Sequence, residues 1–151
     1  MRIKPRSIAI TSGKGGTGKT TLTANLGVAL GALGKDTMIL DGDLAMANLA
    51  LVLGMHKCEL SFLDALTGKA DPSDVIYKNY GIKVVPMGFR FEDVHEVLSK
   101  VKPERVEEVI KELFKQTEFL PIDGPAGIQD STIISIAAAR EMIPVCNMRN
   151  A

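Results

Sequence analysis

At 151 residues the chain has the length of one domain, and 46% hydrophobic with 24% charged residues excludes a disordered or fibrous protein. Lys+Arg and Asp+Glu balance at 18 each, which argues against a protein that coats nucleic acid by bulk electrostatics. Tryptophan is absent, which excludes a tryptophan-lined stacking platform, and two cysteines are too few to staple a fold and fit a reducing compartment. No signal-peptide pattern and no run of about eighteen apolar residues occurs, so the cytoplasm is the expected location.

In chain order, Ser7–Thr11 is an apolar, β-branched run and predicts a buried strand. It enters the glycine-rich segment Ser12–Thr21. Leu22, Leu26, Ala29, Leu30 and Leu33 then recur at helical spacing and predict one buried apolar stripe, with Gly34 as the C-terminal stop. Thr37–Asp41 predicts a second strand, ending in a carboxylate. Strand, glycine loop, helix and strand make a right-handed parallel βαβ unit. One or two helical turns are expected over Leu49–Leu53. A helix capped by Ser61 is expected over 62–66, and a short helix opened by Pro72 over 72–77. Ile82–Pro86 predicts a third strand and Phe91–Leu98 a weak helix. From Pro103, the stripe Val106, Val109, Ile110, Leu113 and Phe114 predicts an amphipathic helix. Phe119–Asp123 predicts a fourth strand, again ending in aspartate. A helix from 130 to 140 and a fifth strand over 142–147 complete an α/β sheet covered on both faces.

Gly13-(four residues)-Gly18-Lys19-Thr20 matches the phosphate-binding loop. Glycines let backbone N–H groups turn inward around phosphates, and the following helix N-terminus adds a favourable field for anions. Lys19 can reach the β and γ phosphates, and the Thr20 hydroxyl can ligate magnesium. Lys14 is either a solvated loop lysine or a cation delivered in trans to a partner's site. Asp41 and Asp43 follow the second strand in the pattern Asp-Gly-Asp. One can hold the water shell of magnesium while the other orients or deprotonates the attacking water, or both can belong to an ordinary turn. Asp123 precedes Gly124-Pro125-Ala126-Gly127. Three aspartates at strand carboxyl ends predict a single shared site.

Gly13-Lys14-Gly15-Gly16-Thr17-Gly18-Lys19-Thr20 resembles the deviant Walker A loop of the family that contains MinD and ParA. Asp41–Leu49 resembles switch I, and Asp123–Gly127 switch II, of its MinD branch. The partitioning branch usually reads Asp-Pro-Gln-Gly-Asn after its switch I aspartate, where Leu44-Ala45-Met46-Ala47-Asn48 stands here. No cysteine lies between 124 and 145, which argues against iron–sulfur binding there. The resemblance implies a three-layer P-loop nucleoside triphosphate hydrolase fold with a mostly parallel sheet, residues 1–151 being the N-terminal portion of one domain. It implies ATP or ADP and Mg2+ as ligands, held by Gly13, Lys14, Gly15, Gly16, Thr17, Gly18, Lys19, Thr20 and Thr21. The metal side falls to Thr20, Asp41 and Asp123. Catalysis falls to Lys14 across an ATP-sandwiched homodimer, Lys19 on the phosphates and Asp43 on the water. Asn48 is placed near the dimer face.

The implied activity is slow ATP hydrolysis that switches dimer to monomer in a positioning task such as division-site selection. A flagellar-number regulator, a partitioning ATPase and a catalytically incompetent phosphate-binding fragment are the alternatives. The resemblance further implies an activator protein and, in the full-length parent, reversible attachment to an anionic membrane through a C-terminal amphipathic helix beyond residue 151. Pro121 and Pro144 depart from the family pattern. Each removes a ladder donor, so each is expected to distort the sheet unless its N–H edge is free. Cys58 and Cys146 are read as a loop and a core cysteine.

Overall fold

The computed structural model describes residues 5–43, 46–88, 100–127 and 139–146. The elements are β1 (Arg6–Ser12), α1 (Lys19–Ala32), β2 (Met38–Asp41), α2 (Leu49–Val52), α3 (Phe62–Leu66), β3 (Tyr77–Asn79), β4 (Ile82–Val85), α4 (Pro103–Phe114), β5 (Phe119–Ala126) and β6 (Glu141–Pro144). One sheet has the order β3-β4-β2-β5-β1-β6. All neighbours run parallel except the β3–β4 hairpin. The expected helix at 91–98 lies outside the described residues, as does 130–138 of the expected helix at 130–140, whose last two residues are not helical.

Alternation along β2 divides the protein into layers. Met38 and Leu40 join Phe62, Ala65, Leu66, Val109, Ile110, Leu113, Leu120 and Ile122 in one core, beneath α3 and α4. Ile39 points the other way, to Ala24, Leu49, Leu53, Ile82 and Val84, beneath α1 and α2. A period of two on a strand with helices on both sides has this result. The α4 stripe behaves as expected, burying Val109, Ile110 and Leu113. Ser61 caps α3 in a reciprocal box with Asp64.

Three expectations need correction. The leucine stripe of α1 is not its buried face: Lys19, Thr23, Ala24 and Gly27 are buried, whereas Leu22 is 40% and Leu33 75% exposed. The helix lies too close to the sheet for leucines to fit between. A Cβ placed on Gly27 or Gly31 would sit 2.5 Å from Ile39 or Ile82 respectively. Residues 72–75 form a turn instead of a helix, and 77–79 pair with β4 as β3. The two-residue connection Tyr80-Gly81 has positive φ at both positions (49° and 75°), the hairpin geometry that suits the strand twist. Cys146 is exposed, so it is no core residue, while Cys58 is half-buried.

The two prolines fall at different places in the sheet. Pro121 lies in central β5 and pairs with Ile8 without interruption. The β2–β5 ladder has a gap between the Thr37–Phe119 bridge and the Leu40–Ile122 pair, and Pro121 lies within that gap. Pro144 is the last residue of β6, which is an edge strand among the described residues.

Candidate functional site

β1, β2 and β5 are neighbours and end on the same side of the sheet, so the glycine loop, Asp41 and Asp123 arrive together. Asp41 and Asp123 are register partners across β2 and β5. The glycine loop follows β1 and ends at Gly18, which opens α1 with φ 91°; Gly16 also has positive φ, 70°. Those two backbone conformations are strained for any L side chain. The segment after Asp123 is held against the loop: β1 shifts register between Ile10 and Ser12, and the Gly127 N–H donates to the Ser12 carbonyl at 2.9 Å. At Gly124 a Cβ would meet the Ile10 carbonyl oxygen at 2.7 Å, so glycine is required by close approach.

Thr20 and Asp123 meet directly. The Thr20 hydroxyl donates to Asp123 Oδ2 at 2.7 Å. Thr23 Oγ1 lies 2.9 Å from the Lys19 carbonyl and 3.5 Å from Asp123 Oδ1. Lys19 is buried, only 7% exposed, and its charge stabilises ionised Asp123. Burial nevertheless dominates, helped by the Asp43 charge, and pushes the Asp123 carboxyl up to about 6 against the pull of Thr20, Lys19 and Thr23. Burial, followed by repulsion from Asp123, pushes Asp41 well above the usual carboxylate range. Two carboxylates that resist ionisation side by side make a site that favours a cation.

Asp41 accepts the Asp43 N–H on Oδ1 at 3.1 Å and the Leu49 N–H on Oδ2 at 3.3 Å. Asp43 Oδ1 in turn accepts the Met46 N–H at 3.0 Å. Asn48 stands at the N-cap of α2 but makes no side-chain cap bond. Lys14 is exposed, and its carbonyl accepts the Ser12 hydroxyl at 2.6 Å. Thr21 is exposed on the first turn of α1. Two polar residues escaped the sequence reading. Thr23 lies one turn beyond Lys19 and is fully buried. Ser12 pins the start of the loop. A hydroxyl four residues after the loop lysine, on the face that must meet the sheet, was the available signal for Thr23.

The site fits a phosphorylated ligand with magnesium. Thr17 Oγ1 is buried and has no hydrogen-bond partner, so the protein leaves a polar atom to be satisfied from outside. A Cβ on Gly13, Gly15, Gly16 or Gly18 would meet no protein atom within 4 Å, which leaves room along the loop backbone. Among the described residues no cluster of three or more His, Cys, Asp or Glu forms a cage for a metal. Magnesium does not need one, because it is held by one or two carboxylates together with substrate phosphates and water.

Comparison with known proteins agrees with this geometry. A protein of Methanocaldococcus jannaschii described as an uncharacterized ATP-binding protein is 47% identical over 142 residues, covering 93% of this chain and 52% of that protein. The structure of the septum site-determining protein MinD from Pyrococcus horikoshii, complexed with Mg-ADP, superposes with a TM-score of 0.82 at 42% identity, covering 93% of this chain and 57% of that one. The Aquifex aeolicus MinC:MinD cell division complex contains a chain that superposes at 0.78 with 30% identity, covering 92% of this chain and 55% of that one. The chain thus spans about half the length of the curated relatives it matches. The ParA family model, described as NUBPL iron-transfer P-loop NTPase, matches residues 4–147. With its glycine loop, its mostly parallel sheet and this match over nearly its whole length, the chain belongs to the ParA family of P-loop NTPases, close to the MinD branch.

Proposed function

We propose that this chain carries the phosphate and magnesium chemistry of a MinD-type ATPase, which hydrolyses ATP slowly and so switches between dimer and monomer in spatial positioning such as division-site selection. The observation that carries this reading is the 2.7 Å contact between Thr20 and Asp123 beside buried Lys19, at the head of the helix that follows the glycine loop. The backbone N–H groups of Gly13–Thr21 cradle phosphate oxygens, and Lys19 neutralises charge on the β and γ phosphates. Thr20 and Asp123 would hold the magnesium, which would supply charge neutralisation to the phosphates. Asp41 is the register partner of Asp123 at the end of β2. Asp43 orients the attacking water and accepts its proton. Lys14, exposed on the loop, reaches into the site of a second copy.

For the whole protein we further propose an ATP-sandwiched homodimer, a regulatory protein partner and reversible contact with an anionic membrane surface. The Aquifex MinC:MinD complex supports the protein partner. No helix among the described residues is long and apolar enough to cross a membrane.

Magnesium-dependent phosphate release from ATP tests the activity. Lys19→Ala is expected to lower it by about 100-fold or more, the scale of losing a preorganised electrostatic contact. Equal release from both proteins sinks the ATPase reading in favour of a phosphate-binding fragment. Lys14→Ala should bind nucleotide normally yet fail to dimerise with ATP in sedimentation runs. Normal ATP-dependent dimerisation in that variant would show that Lys14 does not act in trans.

A further inference from the structure

Asp41 is only 1% exposed at the end of β2, and both of its oxygens accept backbone N–H groups. Its donors, Asp43 and Leu49, are the second and the last residue of the segment 42–49. The first residue of that segment is tied to the sheet separately, by the Gly42 N–H donating to the Asp123 carbonyl at 2.8 Å. The far end is anchored by Leu49, which is fully buried against Ile39 and Ala24 in the core under α1. The N-cap residue of α2, Asn48, leaves the helix N-terminus without a side-chain acceptor of its own. The carboxylate from the neighbouring strand supplies that acceptor at Leu49. A four-residue helix has little stability of its own, so its position depends on this bond and on the burial of Leu49.

We propose that Asp41 is a positioning residue: its carboxylate clasps Asp43 to Leu49 and so fixes the loop that carries Asp43 relative to the phosphate loop. The proposal rests on the reading of Asp43 as the water-orienting residue. One oxygen bonds the Asp43 N–H itself, so the side chain of Asp43 starts from a fixed Cα. Its Oδ1 is further tied to the Met46 N–H, inside the clasped segment. Asp41 and Asp123 are register partners, and both oxygen atoms of Asp41 are committed to the loop.

Amide hydrogen exchange and kinetics on the 151-residue chain test the clasp. In the unsubstituted chain the Asp43 and Leu49 amides are expected to exchange at least about tenfold more slowly than open-chain amides. Asp41→Asn places an NH2 group against one of the two donors. It should speed exchange at both amides and lower kcat about tenfold or more, since a misplacement of about 1 Å costs that much or more. The Kd for Mg-ADP should stay within about threefold, because the loop, Lys19, Thr20 and Asp123 are untouched. Open-chain exchange in the parent, or unchanged exchange in the variant, overturns the clasp. A parallel loss of Mg-ADP affinity and kcat overturns it too, in favour of direct ligation by Asp41. Should the parent show no turnover, the ATPase reading fails and exchange alone decides the role of Asp41. If Asp41→Asn does not fold, exchange in the parent decides it.

Discussion

Asp123 shows at residue scale how a buried carboxyl costs the fold stability. Its carboxyl titrates near 6 in the folded chain instead of 3.8, chiefly because it is buried. A raised carboxyl pKa means that the folded state keeps its proton longer than the unfolded state does. Between those two values the unfolded chain has already lost the proton, so stability falls as pH rises, and above about 6 the penalty is constant. At about 1.4 kcal/mol per pKa unit the cost approaches 3 kcal/mol at neutral pH. Asp123→Asn keeps an acceptor for Thr20 and removes the charge. The variant should therefore gain stability over the parent as pH rises from 4.5 to 7.5, by about 2 kcal/mol in urea unfolding. A stability difference that does not change across that range would mean that Asp123 carries no such penalty. In the proposed site a magnesium ion would reverse the balance, since a cation favours the ionised form; for the same reason Mg-nucleotide affinity should rise with pH through this window in the parent and not in Asp123→Asn.

At the scale of elements, α1 shows what periodicity conveys and what it hides. Leu22, Leu26, Ala29 and Leu33 have the correct spacing for a buried stripe, yet the helix turns Thr23, Ala24, Gly27 and Gly31 towards the sheet. Hydrophobic spacing reports that a face is apolar, while interaxial distance decides which face fits. Gly31 is the sharpest case. A Cβ there would lie 2.5 Å from Ile82 Cγ2, a methyl fixed to a branched Cβ that cannot swing away as a terminal methyl could. Gly31→Ala gains about 1 kcal/mol of helix propensity and should still destabilise the fold by about 1–2 kcal/mol net through overpacking. Pairing it with Ile82→Ala removes the clashing methyl, so the double variant should lose less than the sum of the two single losses in urea unfolding. Strict additivity would place the two residues out of contact.

The elements whose signals are local were readable beforehand: β1, β2, β4, α4 and the Ser61 cap, along with the glycine loop and its aspartates. The hairpin at 77–82 was hidden because Tyr80 adopts a positive φ that tyrosine seldom takes, so no Asn-Gly or Asp-Gly pair announced the turn. The tolerance of Pro121 depends on which neighbour its missing donor faces, and the buried partnership of Thr23 with Asp123 spans 100 residues. Neither follows from local pattern.

For the whole molecule, the distribution of exposed apolar surface is uneven. β6 is the outer strand of the sheet among the described residues, and all four of its residues are exposed, Met142 at 51% and Ile143 at 39%. An outer strand presents unpaired backbone groups to any other strand that approaches, and apolar side chains strengthen such an encounter. Charge does little to prevent it, because the formal net charge is zero at pH 7 and copies do not repel one another at long range. Arg6 and Glu141, which could act as gatekeepers, are already engaged with each other in a bidentate pair at 2.8 and 2.7 Å that ties β6 to β1. The isolated 151-residue chain should therefore self-associate at neutral pH without nucleotide, and less so at a pH well above neutral, where the molecule is anionic. Ile143→Lys adds a charge to the outer strand and should suppress the association while changing stability by no more than about 0.5 kcal/mol, the usual range for an exposed position. Sedimentation velocity over a wide concentration range separates the outcomes. A parent whose sedimentation coefficient does not rise with concentration would mean that β6 is protected by Pro144 and the strand's shortness. A variant that associates as strongly as the parent would move the contact elsewhere, to the exposed Leu22 and Leu33 flank of α1.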